Sequence, residues 1–178
     1  PLSLREKAAV RAIAYHPEFN DSEPTAVAPW ERPFVTGGLF ASYFSKITFK
    51  GFTVTRVDPE LNFAWEDHPC CPGLPTNYVS AMWTGRIRPP RTGEYTFYIL
   101  GDNGFRFWLD NKLLMNLLTE EVRSSTASVK LIGGRAYDVK ICLTESWGLM
   151  GIKWEWEGPG ISRQIVPRSV LSPTGRYS

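Results

Sequence analysis

The sequence predicts an all-β chain, on three observations. Its 178 residues carry seven Trp, ten Phe and seven Tyr beside 15 Gly and 14 Pro, the balance of short aromatic strands joined by tight loops. Apolar residues alternate with polar ones in one segment after another. No stretch of ten or more residues with helical periodicity separates those segments, so an α/β arrangement is excluded. With 43% hydrophobic and 21% charged residues a packed core is attainable and disorder is not expected. A net charge of +2 gives no electrostatic claim on nucleic acid. No apolar run approaches the ~18 residues of a membrane-spanning helix.

The first fifteen residues conflict. Arg5-Glu6-Lys7-Ala8-Ala9 favours helix, whereas Val10 to Tyr15 has no helical face and suits a strand. Residues 17–37 hold Pro17, Pro24, Pro29 and Pro33, a density that excludes regular structure. The linker proper is placed at 29–37, after an N-terminal fragment at 1–28. From Gly38 on, the β signal is strong. Gly38 to Phe44 and Thr53 to Arg56 are strand candidates. Tyr95, Phe97 and Ile99 share one face, as do Phe105, Phe107 and Leu109. With the turns Gly101-Asp102-Asn103-Gly104 and Asp110-Asn111 between them and Leu113-Leu114-Met115 behind, these read as a β-meander. Strands follow at Thr126 to Leu131, at Tyr137 to Leu143, and at Gly151 to Trp156 with Ile152, Trp154 and Trp156 on one face. Residues 38–178, about 140, fit one β domain. The chain begins at Pro1 without an initiator Met, so a piece of a longer polypeptide is expected, its targeting signal outside. The odd cysteine count, with Cys70 and Cys71 adjacent and Cys142 distant, favours free thiols over a disulfide framework.

Several segments resemble a known family. They are Gly38 to Phe44, Arg56-Val57-Asp58, Phe63-Ala64-Trp65, Trp83 to Ile87, Thr92 to Phe97, Gly101 to Asp110, Gly151 to Trp156 and Ile165-Val166-Pro167. In this order they resemble the protective-antigen fourteen-kilodalton (PA-fourteen) lectin-like domain, over about residues 38–172. The resemblance implies an antiparallel β-sandwich or barrel. Pro1 to Leu4, Ala9 to Tyr15 and Asn20 to Glu23 look like the closing strands of a chitobiase C-terminal or fibronectin-associated sandwich, which would replace the helix at the N-terminus by strands.

The family's site maps onto Asp102 and Asn103. In flocculin relatives two consecutive Asp at this turn, joined by a cis peptide, ligate calcium that holds sugar hydroxyls. Here the second is Asn103, whose amide oxygen can ligate but brings no charge, so a weaker calcium site is implied. Glu145 is the expected further ligand. Trp147, in the loop Thr144 to Leu149 that the family places near this turn, is the candidate platform for a pyranose ring, since an aromatic face complements a sugar's C–H face. The competing readings are a plain hairpin turn at 101–104 and a Trp that caps the core. Trp65, Trp83, Trp154 and Trp156 are assigned to the core.

Other clusters lead nowhere specific. Glu66-Asp67-His68-Pro69-Cys70-Cys71 lacks the spaced ligand pairs of a zinc site and reads as a proline-stiffened loop. Arg86, Arg88 and Arg91 can grip an anion bidentately, or form a solvated turn. Two His, neither in a nucleophile motif, are a thin supply for catalysis in this segment. The expectation is therefore a non-catalytic carbohydrate-binding module of an exported bacterial glycan-degrading enzyme, outside the cytoplasm or on the cell surface. Its partners would be a glycan and an adjacent catalytic domain, with no nucleic acid and no membrane insertion. The alternatives are a spacer that shapes a glycosidase active site and an adhesin-type recognition domain.

Overall fold

A computed structural model describes residues 11–12, 25–26, 33–118 and 122–173. The chain divides into two compact units, Pro1–Phe34 and Val35–Ser178. In the first, β1 (Arg11–Ala12) pairs antiparallel with β2 (Thr25–Ala26). β1 falls in the Val10 to Tyr15 segment that suits a strand, whereas β2 lies inside the proline-rich stretch expected to be irregular. The two residues of β2 lie between Pro24 and Pro29 and keep the N–H groups a ladder needs. The helix-favouring Arg5 to Ala9 and the remaining residues of this unit lie outside the described residues.

The second unit is an antiparallel β-sandwich. Its strands are β3 (Leu39–Lys46), β4 (Lys50–Asp58), β5 (Asn62–Glu66), β6 (Val79–Ile87), β7 (Gly93–Asp102), β8 (Gly104–Leu109), β9 (Lys112–Leu117), β10 (Arg123–Leu131), β11 (Tyr137–Glu145), β12 (Met150–Gly158), β13 (Ile161–Ile165) and β14 (Leu171–Pro173). One sheet has the order β4-β3-β6-β11-β8-β9, with β14 on the far end of β6. The other runs β10-β7-β12-β13, with β5 also paired to β12. The alternation read from sequence points each strand inward: Tyr95, Phe97, Ile99, Ile152, Trp154 and Trp156 from one sheet meet Trp83, Phe105, Phe107 and Ile141 from the other, all buried. Phe97 sits edge-on to Phe107 at 5.3 Å, and Trp154 lies 5.7 Å from Phe107 across the layers. Each such side chain contributes roughly 1.5–3 kcal/mol of burial.

The expected meander does not form. β6, β7 and β8 follow one another in sequence but alternate between the two sheets; of the strands expected in the meander, β8 and β9 alone pair as a hairpin. A meander and a two-sheet crossover show the same period-2 pattern, because both strands of a crossover also point one face at the core. One buried polar cluster spans the sheet that carries β3, β4 and β6. Asp58 accepts from the Tyr43 hydroxyl at 2.5 Å, the Trp83 indole at 2.7 Å and Arg56 Nε at 2.6 Å. Burial and the Asp58 charge hold the Tyr43 hydroxyl far above its usual range.

Candidate functional site

Asp102 and Asn103 are not a hairpin turn. Asp102 ends β7 in one sheet and Gly104 begins β8 in the other, so Asn103 alone carries the chain across the sandwich. The Asp102–Asn103 peptide is cis. The flanking glycines serve packing rather than turning: neither has positive φ, and a Cβ on Gly101 would stand 2.5 Å from the Phe105 ring.

A second crossover lies beside the first. Residues Ser146 to Leu149 connect β11 to β12 in the opposite sheet. The side-chain oxygen of the buried Asn103 accepts the Ser146 N–H at 2.9 Å, and its Nδ2 donates to Asp102 Oδ1 at 2.8 Å. The Asn103 amide is thus engaged on both ends and joins the two crossovers. Burial raises the Asp102 pKa, while the bond from Asn103 lowers it.

Glu145, the last residue of β11, faces inward and is fully buried. Neither of its carboxylate oxygens has a hydrogen-bond partner. Its pKa is pushed up to about 7, first by burial, then by the Asp102 charge, with a looser approach of the Trp147 backbone amide pulling it down. A buried carboxylate left unpartnered beside a second acid is the donor chemistry of a hard cation such as calcium. In that respect Asp102 and Glu145 fit calcium. Asn103 fits it less well, since its oxygen already takes the Ser146 N–H. Among the described residues no three His, Cys, Asp or Glu side chains cluster as a metal set. The protein would supply two carboxylates, with the remaining oxygens coming from elsewhere.

Trp147 does not cap the core. It is 71% exposed, and its backbone is tethered on both sides. Tyr78 N–H donates to the Ser146 carbonyl at 3.3 Å, and Gly148 N–H donates to Asn77 Oδ1 at 3.2 Å. Tyr78 itself is 58% exposed with φ of +58°. Thr76, Asn77 and Tyr78 escaped the sequence reading; the signal available was an aromatic directly after Pro-Thr-Asn turn chemistry. Trp83, Trp154 and Trp156 are in the core, and Trp65 packs against it, stacked on Phe63 at 4.7 Å.

The remaining clusters separate. Cys70, Cys71 and Cys142 are free, buried thiols, and burial pushes Cys70 up to about 12. Asp67 and His68 instead face solvent, paired with each other at 2.9 Å, so the Glu66 to Cys71 stretch does not converge. Arg86 is buried on β6 rather than on a solvated turn, and Arg91 is exposed in the following loop. No helix among the described residues is long and apolar enough to cross a membrane.

Fold and site together define an antiparallel β-sandwich with a polar, Trp-bearing loop end formed where two crossovers meet. The PA14 domain matches residues 36–169, and the chain belongs to that family. It is 28% identical over 138 residues to the anti-sigma-I factor RsgI3 of Acetivibrio thermocellus, covering 77% of this chain and 21% of that protein. An anti-sigma factor domain-containing protein from Clostridium clariflavum superposes with a TM-score of 0.76 and 35% identity, over 79% of this chain and 48% of that one. The PA14 sugar-binding domain from an RTX adhesin shares the fold, with a TM-score of 0.65 and 14% identity over 79% of this chain and all of that one. The chain spans about a fifth of the first relative's length and about half of the second's.

Proposed function

We propose that this domain is a non-catalytic carbohydrate-binding module that holds a glycan at the loop end where Asp102, Glu145 and Trp147 meet. The observation that carries the reading is the pairing of a buried, unpartnered carboxylate with an exposed Trp whose backbone is pinned. Trp147 offers its face to a pyranose ring. Asp102 accepts hydrogen bonds from sugar hydroxyls. Calcium, when bound, would be held by the Asp102 and Glu145 carboxylates and would supply a cation for vicinal hydroxyls. Asn103 acts as a positioning residue, fixing Asp102 against the Trp147 loop. The sugar-binding PA14 domain of the RTX adhesin supports the ligand class. A role outside the cytoplasm follows from that ligand.

The parent protein is a further part of the proposal. The chitobiase-like pattern of residues 1–23 supports attachment to a glycan-degrading enzyme, where the module would raise the local substrate concentration. The similarity to anti-sigma factor proteins favours a second reading, in which the same module is the ligand-binding segment of a regulator. A glycan array read in calcium and in EDTA, followed by calorimetry on the hits, tests the binding function. Binding that Asp102→Ala and Trp147→Ala both weaken is expected; an array blank in both buffers would overturn it.

A further inference from the structure

The outer face of the larger sheet carries a cluster that the loop-end site does not use. Lys140 of β11 stands opposite Trp108 of β8, and Arg106, the previous outward residue of β8, stands opposite Cys142. The Lys140 ammonium lies 5.0 Å and the Arg106 guanidinium 5.7 Å from the centre of the Trp108 ring. Lys140 is exposed, and Arg106 and Trp108 are half-buried. On β9, Leu113, 44% exposed, pairs with Trp108, and the exposed Asn116 pairs with Arg106. Arg106 and Lys140 are diagonal neighbours, roughly 7–8 Å apart by strand geometry.

Neither cation is neutralised. Among the described residues no carboxylate pairs with Arg106 or Lys140. The one acid on this face of β11, Asp138, stands opposite Arg86. The smaller sheet differs: its outward cations Lys153 and Arg163 both pair with Glu155, at 3.0 and 2.7 Å. The two uncompensated charges act on one spot. Burial raises the Cys142 pKa, and Lys140 and Arg106 both pull it back. Contact with an indole orients a cation without cancelling its charge, so the pair is left to bind an oxyanion.

We propose that this face of β8 and β11 binds an acidic polysaccharide. Arg106 and Lys140 take the carboxylate or sulfate, and Trp108 and Leu113 pack on the apolar side of the ring that bears it. β8 and β11 are interior strands of their sheet, so an acidic peptide finds no open edge there to pair with. Two cations are too few to hold a nucleic-acid backbone. The saccharide class rests on the glycan-binding reading. The acidic group goes beyond it, as does the surface: Trp108 is four residues along β8 from Gly104, about 14 Å from the loop end.

The test is calorimetry in EDTA and low salt with alginate as the carboxylated probe and dextran sulfate as the sulfated one, beside polyglutamate and the glycan held at the loop end. At least one acidic polysaccharide should bind. Arg106→Gln and Lys140→Gln should each weaken it roughly 2- to 5-fold, and about tenfold together. Trp108→Leu should weaken it as well. Lys50→Gln, on the far edge strand of the same sheet, should not. The double variant should keep the affinity of the loop-end glycan, which Asp102→Ala weakens. A double variant that holds the acidic chain like wild type overturns the proposal. So does a loss in Lys50→Gln equal to that in Arg106→Gln, which would mean bulk charge, or a loss in Asp102→Ala equal to that in the double variant, which would put the acid at the loop end. Polyglutamate bound more tightly than either polysaccharide overturns the saccharide in favour of a protein. Binding of the loop-end glycan alone overturns this face and leaves the proposed function standing; absence of all binding overturns both.

Discussion

Glu145→Gln tests the site at its most exposed physical claim, the cost of holding a buried carboxylate with no partner. The structure raises the Glu145 pKa from its ordinary 4.5 to about 7. A carboxyl raised on folding favours the protonated fold. Its contribution is fully present below pH 4.5 and is lost as pH climbs through 7. At about 1.4 kcal/mol per pH unit, the displacement corresponds to about 3 kcal/mol between pH 4.5 and pH 8. For a domain of this size that is a melting temperature lower by about 10 °C at the alkaline end. Asp102, also raised by burial, acts in the same direction. Glu155, lowered by its hydrogen bond from Arg163, acts the other way, but only as pH falls through the ordinary carboxylate range.

Gln keeps the shape of Glu145 and removes the ionisation. In EDTA, melting curves from pH 5 to pH 8 should slope downward for wild type, and much of that slope should vanish in Glu145→Gln. At pH 8 the variant should be the more stable protein. Millimolar calcium should restore the wild type at pH 8, because the cation stabilises the ionised pair it binds, and should do nothing for the variant. Parallel slopes in the two proteins would refute the electrostatic account of Glu145. Equal calcium stabilisation of both would refute its part in holding the ion.

Trp147→Ala should lower affinity for any bound glycan by at least tenfold by titration. It should leave the melting temperature within about 2 °C, because an exposed side chain adds little to the core. Asp58→Ala should cost about 3–5 kcal/mol in urea unfolding, since it strands the Arg56 guanidinium together with the Tyr43 hydroxyl and Trp83 indole donors. Asn103→Asp replaces the donor to Asp102 with a third acid. It should lower the melting temperature in EDTA and widen the gap between EDTA and calcium relative to wild type.

The core was legible in the sequence because its signal is local. Tyr95, Phe97 and Ile99, or Ile152, Trp154 and Trp156, announce an inward face by alternation alone, and each is buried. Which sheet a strand joins is a long-range property that alternation does not encode. β7 and β8 therefore looked like a hairpin when they are partners of β10 and β11. β5 and β6 were legible only through family resemblance. Val79 to Ile87 is buried on both faces through most of its length, and its sequence alternates poorly. At the site, the turn-like composition of Gly101 to Gly104 read as a hairpin where the chain in fact crosses from one sheet to the other. Thr76 and Asn77 carried no periodic signal at all; their place is set by a loop folding back on Ser146 and Gly148.

The position of the site follows from topology. A sandwich strand satisfies its backbone by pairing sideways, and that pairing must stop where the chain leaves one sheet for the other. Two such departures, β7 to β8 and β11 to β12, fall at the same end of this sandwich. Side chains there must replace ladder hydrogen bonds. Asn103 does so with an oxygen for the Ser146 amide and a nitrogen for Asp102. An aspartate at that position would accept the Ser146 N–H equally well but would meet Asp102 and Glu145 as a third negative charge. The amide therefore lets the two crossovers hold together without a cation. On the function proposed above, the same end would offer two acids to calcium or sugar hydroxyls, with both oxygens of the buried Glu145 carboxylate left without a hydrogen-bond partner.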